Sequence, residues 1–121
     1  MAKVMVVDDS GYARRVHRGM LESAGYEVSE ASTGMGALEA YFLERPDVVL
    51  LDLSMEDMGG LEVLRKLREM DPSARVIVVS ADIQRTTGEM ALAAGAYRFL
   101  GKPLKPEELR TVLGPLVKAP Q

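Results

Sequence analysis

Three short runs constrain this chain more than anything else in it: KVMVVDD (residues 3–9), VVLLDL (48–53) and RVIVVSAD (75–82). Each is an unbroken series of aliphatic side chains that stops on polar ones. A strand with one face in water alternates apolar and polar residues. Continuous runs of this length instead read as strands buried on both faces, the pattern of a parallel sheet covered by helices on either side. YEVSEA (26–31) and YRFLGK (97–102) are weaker runs of the same kind and read as edge strands.

The intervening segments carry helical periodicity. Ala13, Val16, Met20 and Ala24 form one stripe, Leu38, Tyr41 and Phe42 a second, Leu61, Leu64 and Leu67 a third, and Leu109, Val112, Leu113, Leu116 and Val117 another. The stretch 86–94 supplies the remaining helix, with Thr86 or Thr87 as its expected N-cap and Gly88 weakening its first turn. Gly25 and Gly95 stand where left-handed glycines close helices, and ERPD (44–47) and DPSAR (71–75) end two others through proline. The eight methionines are expected to fill the core. The order is βα five times over, which predicts an α/β fold: a doubly wound parallel sheet joined by right-handed crossovers. A chain of 121 residues fits one domain, 1–121, burying about two-thirds of its unfolded surface.

In such sheets ligands bind beyond the carboxyl ends of the strands. There the sequence places Asp8 and Asp9 after strand one, Asp52 after strand three, Ser80 after strand four and Lys102, followed by Pro103, after strand five. Three carboxylates brought so close repel one another and raise each other's pKa unless a cation sits among them. An open set of oxygen donors suits Mg²⁺ better than zinc. With no cysteine and with His17 as the one histidine, thiolate and multi-histidine metal sites are excluded. A net charge of −3 argues against direct nucleic-acid binding. The sequence shows neither a signal segment nor a membrane-length apolar run, so a cytoplasmic location without membrane association is expected.

These residues, together with Gly60, Ser80-Ala81 and AGAYRFLGKP (94–103), give the chain its resemblance over essentially its whole length. It resembles the receiver domains of two-component response regulators, the CheY-like superfamily. The resemblance implies a flavodoxin-like (βα)5 fold with sheet order 2-1-3-4-5. It implies phosphorylation of Asp52 by a sensor histidine kinase or a small acyl phosphate, with no activity on other substrates. Asp9 and Asp52 would bind Mg²⁺ directly with the backbone carbonyl of Ser54, and Asp8 would act mainly through water. Lys102 would contact the phosphoryl group. Ser80 and the switch residue Phe99 would then move and remodel the α4-β5-α5 face for an effector protein. Ser54 and Asp82 would modulate the rate, and the protein would be a monomer or a weak, phosphorylation-dependent dimer.

Taken singly, each of these residues has an ordinary explanation: Asp9 or Ser10 as a helix cap, Lys-Pro as a turn, Phe99 as core. Their coincidence at one sheet edge outweighs the separate explanations. His17 is expected at the boundary of the first helix. Arg14, Arg15 and Arg18 form either a solvated face or a kinase-docking patch. The loop after Asp52 departs from the family's Met-Pro-x-Met-Asp-Gly pattern, with Glu56 in place of proline and Gly59 in place of the acid, and is expected to be unusually mobile.

A stand-alone switch, with no DNA-binding or catalytic domain expected after Gln121 and chemotaxis control as one version, is the first functional reading. A phosphorelay intermediate serving a histidine phosphotransfer protein, or a receiver cut from a longer regulator with KAPQ (118–121) starting a linker, are the alternatives. An aspartyl-phosphate phosphatase is more remote, since Ser54 stands where its second acid belongs. An FMN-binding flavodoxin is equally remote, since two acids stand where its phosphate loop belongs.

Overall fold

The computed structural model describes residues 2–117. Its elements alternate as β1 (Lys3–Val7), α1 (Gly11–Ser23), β2 (Glu27–Ala31), α2 (Gly34–Glu44), β3 (Val48–Asp52), α3 (Gly60–Met70), β4 (Val76–Ser80), α4 (Arg85–Ala93), β5 (Arg98–Gly101) and α5 (Pro106–Val117). All strand pairs are parallel, in the order β2-β1-β3-β4-β5. The expected fold class is therefore the observed one. Among the described residues, no helix is long and apolar enough to cross a membrane.

The sheet explains the unbroken apolar runs. Successive strand residues point to opposite faces, and both faces are covered. Met5, Val7, Val49, Leu51, Val76 and Val78 face one core with residues of α2, α3 and α4. Val4, Val6, Val48, Leu50, Ile77 and Val79 face the other, closed by Leu21 of α1 and by Leu109, Leu113 and Leu116 of α5. Every residue of β3 and β4 is buried.

Several local expectations need correction. Gly25 and Gly95 do have positive φ, 95° and 110°, and Ser10 caps α1 through its hydroxyl, which accepts from the Ala13 N–H at 3.1 Å. However, α4 starts earlier than predicted. Its N-cap is Gln84 and not Thr86 or Thr87, because Asp82 takes both the Gln84 N–H (3.1 Å) and the Thr87 hydroxyl (2.8 Å) and so begins the first turn itself. Phe42 is not on the inner stripe of α2. Ala37 and Tyr41 are, and the next residue is turned about 100° outward, leaving Phe42 65% exposed.

Helix α1 is also rotated relative to its apolar stripe. It buries His17 and Leu21, with Val16 and Met20 only partly covered. Among the described methionines, Met5 is fully buried and Met20, Met55 and Met58 pack partly buried against the two cores, whereas Met35, Met70 and Met90 are exposed. Val117's side chain and the KAPQ tail lie outside the described residues.

Candidate functional site

The strand register assembles the site. Asp8, Asp52 and Lys102 continue the even-numbered positions of β1, β3 and β5, which face α1 and α5. Ser80 continues the face of Val76 and Val78, and Phe99 lies on that same side against α4. The charged groups therefore gather on one side of the sheet edge and the two expected switch residues on the other.

Lys102 bridges the carboxylates. Its Nζ lies 3.0 Å from Asp8 Oδ2 and 3.1 Å from Asp52 Oδ1. Asp8 and Asp52 are almost fully buried, while Asp9 is exposed. The second oxygen of Asp52 accepts the Ser54 N–H at 3.2 Å. Burial first, and then the charge of Asp8, push the pKa of Asp52 above its ordinary 3.8, against the pull of Lys102 and the Ser54 N–H. Burial disfavours the charge on Lys102, but its hydrogen bonds to the two acids and their attraction prevail and raise its pKa above 10.5.

Asp8 has every polar group engaged. Its N–H donates to the Ala31 carbonyl and its carbonyl accepts from Arg14. One carboxylate oxygen accepts from the Ser10 N–H, the other from Lys102. Asp8, Asp9 and Asp52 each offer a carboxylate oxygen within 4.8 Å of the others'. Three negative charges face one lysine, and the excess equals the charge of one divalent cation. An all-oxygen donor set with that excess fits Mg²⁺. Both oxygens of Asp8 and both of Asp52 already carry a contact, and Asp9 is the exposed acid of the three.

Ser80 is buried, and its Oγ accepts the Asp82 N–H at 3.0 Å. The Asp82 carboxylate points into α4's first turn, where the Gln84 N–H and the Thr87 hydroxyl hold its pKa below the usual range. Phe99 is half-buried, and its ring packs against Gly88, where an added Cβ would meet ring carbon Cδ2 at 3.3 Å.

Two findings escaped the sequence reading. The loop after Asp52 is tied down by Asp57, whose carboxylate accepts the Gly34 and Met35 N–H groups at 2.9 and 3.1 Å and so caps α2 from outside. This tie opposes the mobility expected from the missing proline. The second concerns the arginines: Arg14 and Arg18 are neither a free solvated face nor an open patch. They grip opposite oxygens of Glu30 at 2.9 and 2.8 Å and donate to the carbonyls of Asp8 and Val28, whereas Arg15 is exposed. His17 is buried rather than at the boundary. Burial and the nearby Lys102 lower its pKa below 6.5, with Asp8 opposing.

The family model for the response regulator receiver domain matches residues 4–114. The chain belongs to that family, and it is a receiver of two-component signalling. A chemotaxis protein CheY from Thermotoga maritima is 35% identical over 117 residues, 96% of this chain and 98% of its own length. Sporulation initiation phosphotransferase F of Bacillus subtilis is 32% identical over 108 residues, 89% of this chain and 87% of its own. Among solved structures, the CheX-CheY-BeF3-Mg complex from Borrelia burgdorferi superposes with a TM-score of 0.90 at 31% identity, covering 97% of this chain and 90% of the other.

Proposed function

We propose that Asp52 is the phosphoryl acceptor of a signalling switch. The observation that carries this is a buried carboxylate fixed at the end of β3, 3.1 Å from the Lys102 ammonium and beside two further acids. In phosphoryl transfer, positioning and charge neutralisation do most of the work. An Asp52 oxygen forms the new P–O bond as the P–N bond to a kinase phosphohistidine, or the P–O bond of an acyl phosphate, breaks and its electron pair leaves with the donor.

Asp9, Asp52 and the Ser54 carbonyl would hold Mg²⁺, with Asp8 reaching it through water. The ion would supply neutralising charge to the phosphoryl oxygens. Lys102 exchanges a carboxylate contact for a phosphoryl oxygen. Ser80, whose Oγ accepts the Asp82 N–H and donates to no partner among the described residues, turns to donate to that oxygen. Phe99 then swings from its place beside Gly88 and changes the α4-β5-α5 face read by an effector protein. Asp82, by anchoring α4, and Ser54, by holding Asp52, set how readily the state forms and decays. The chain acts on no substrate but its own phosphoryl group, in the cytoplasm, as a single receiver domain.

Output in chemotaxis is supported by the likeness to the Thermotoga protein. Passage of the phosphoryl group to a further histidine is the second reading, favoured by the likeness to the Bacillus phosphotransferase. Incubation with Mg²⁺ and acetyl phosphate followed by intact mass tests the first step. Gain of one base-labile phosphate, lost in Asp52→Asn, is expected, and no gain in the wild type at any donor concentration would refute it.

A further inference from the structure

We infer that Arg14, braced by Glu30 and Arg18, is a positioning residue that sets where Asp9 points and thereby tunes the affinity of the acidic edge for its divalent cation. The inference rests on the metal reading proposed above and concerns residues that touch neither metal nor phosphoryl group.

Arg14 lies on α1, yet its Nη1 donates to the backbone carbonyl of Asp8 at 2.6 Å, the carbonyl of the peptide joining Asp8 to Asp9. A peptide unit is planar, so fixing its carbonyl fixes its whole plane and with it the direction in which the Asp9 Cα leaves the chain. The N–H side of Asp8 is fixed separately by the Ala31 carbonyl, and the Asp8 carboxylate by Ser10 and Lys102. Asp9 is the exposed acid of the set, and its Cα is the far end of that clamped peptide.

The clamp itself is held from β2. Glu30 accepts from Arg14 Nε at 2.9 Å on one oxygen and from Arg18 Nη1 at 2.8 Å on the other, and Arg18 Nη2 is anchored on the Val28 carbonyl at 2.8 Å. These side chains are about one-fifth to one-third exposed, so solvent screens them only in part. A planar guanidinium can serve the Asp8 carbonyl and Glu30 at the same time from a fixed fork, and an ammonium cannot reproduce that geometry. Groups that orient metal ligands through a hydrogen bond commonly affect metal affinity about 10–100-fold.

Charge and position act with opposite sign at Arg14, which makes them separable. If its positive charge alone mattered, it would repel a cation. Arg14→Met would then bind Mg²⁺ more tightly than wild type, and Arg14→Lys would match wild type. If position matters, Arg14→Lys, which keeps the charge, binds more weakly. The test is calorimetric titration of the full chain with Mg²⁺, paired with thermal unfolding in EDTA to read stability without metal.

Expected are about a tenfold loss of Mg²⁺ affinity in Arg14→Lys and a smaller loss in Glu30→Gln, neither rescued by saturating donor phosphate, with both variants folded. Wild-type affinity in Arg14→Lys overturns the inference. Should Arg14→Lys fail to fold, Glu30→Gln decides, and unchanged affinity there overturns it. If the wild type itself binds no Mg²⁺, the metal reading falls and the inference falls with it. If the wild type binds and the variants match it, only the inference fails.

Discussion

Two adjacent glycines open α3, and the structure gives them opposite tolerances. A Cβ built on Gly60 would stand 2.5 Å from the Leu53 Cα and 2.7 Å from the Asp52 carbonyl oxygen. Both obstacles are backbone, so no rotamer change relieves them. The Gly60 N–H also donates to the Leu53 carbonyl at 3.1 Å, so α3 cannot back away without losing that bond. Restoring ordinary contact needs a shift of about 1 Å in the segment carrying Asp52. Overpacking costs typically about 1–3 kcal/mol, and an unyielding backbone places Gly60→Ala near 2–3.

Gly59, by contrast, has nothing within 4 Å of an added Cβ. Its φ of −60° and ψ of 145° suit any residue, and it is an N-cap without a side-chain acceptor. Gly59→Asp should therefore be neutral or stabilising by a few tenths of a kcal/mol. In urea melts at constant m-value the two variants should separate by about 2–3 kcal/mol, or roughly 8–12 °C in Tm for a domain of this size. Displacement of the Asp52 carbonyl should also slow Mg²⁺-dependent phosphorylation on the order of 10–100-fold in Gly60→Ala. A Gly60→Ala protein within about 0.5 kcal/mol of wild type, phosphorylated at the wild-type rate, would refute the reasoning.

Three further outcomes follow from the charges. The pKa of Asp52 is raised in the fold, so its contribution to stability is present below its ordinary 3.8 and lost as pH rises through the raised value. Asp52→Asn should melt higher than wild type at neutral pH, and the gap should close in acid; a variant no more stable at pH 7 contradicts this. Removing Lys102 leaves Asp8 and Asp52 buried without a cation. Because its side chain is 24% exposed, Lys102→Met should cost about 2–3 kcal/mol in EDTA, below the range for a fully buried pair. Adding Asp52→Asn should recover much of that loss, and wild-type stability in the single variant would be the contrary result. The pKa of His17 is depressed, so the stability it contributes is present above 6.5 and lost as pH falls through its lowered value. His17→Leu should flatten the acid side of the stability profile, which an unchanged slope would contradict.

What the sequence made legible was whatever one element writes by itself. A strand buried on both faces is written as an aliphatic run, so β1, β3 and β4 could be read directly, and the polar residue ending each run marked the site. The parity of positions 8, 52 and 102 is a further signal carried by the same runs. Apart from the α4 start and Phe42, which are local to one helix, the misses lie between elements. Glu30 looks like a solvent-facing residue on an edge strand until α1 is laid across it. Asp57 looks like a loop acid until the start of α2 is beside it. A hydropathy stripe ranks Val16 and Met20 above a histidine and so puts His17 at the boundary, although His17 and Leu21 are four apart and share the inner face.

The same contrast separates the two acids of the pair. In sequence Asp8 and Asp9 are interchangeable, and a motif treats them as one feature. In the fold, Asp8 is buried with its N–H, its carbonyl and both carboxylate oxygens engaged, which leaves it little capacity to answer a new ligand. Asp9, exposed one residue later, has that capacity but depends on Asp8 for its direction. On the proposed reading the site accepts a cation and later a phosphoryl group, and such a site needs one acid that stays fixed and one that responds. The ties on Asp8 and the exposure of Asp9 divide those roles, and Arg14 is the point where they meet.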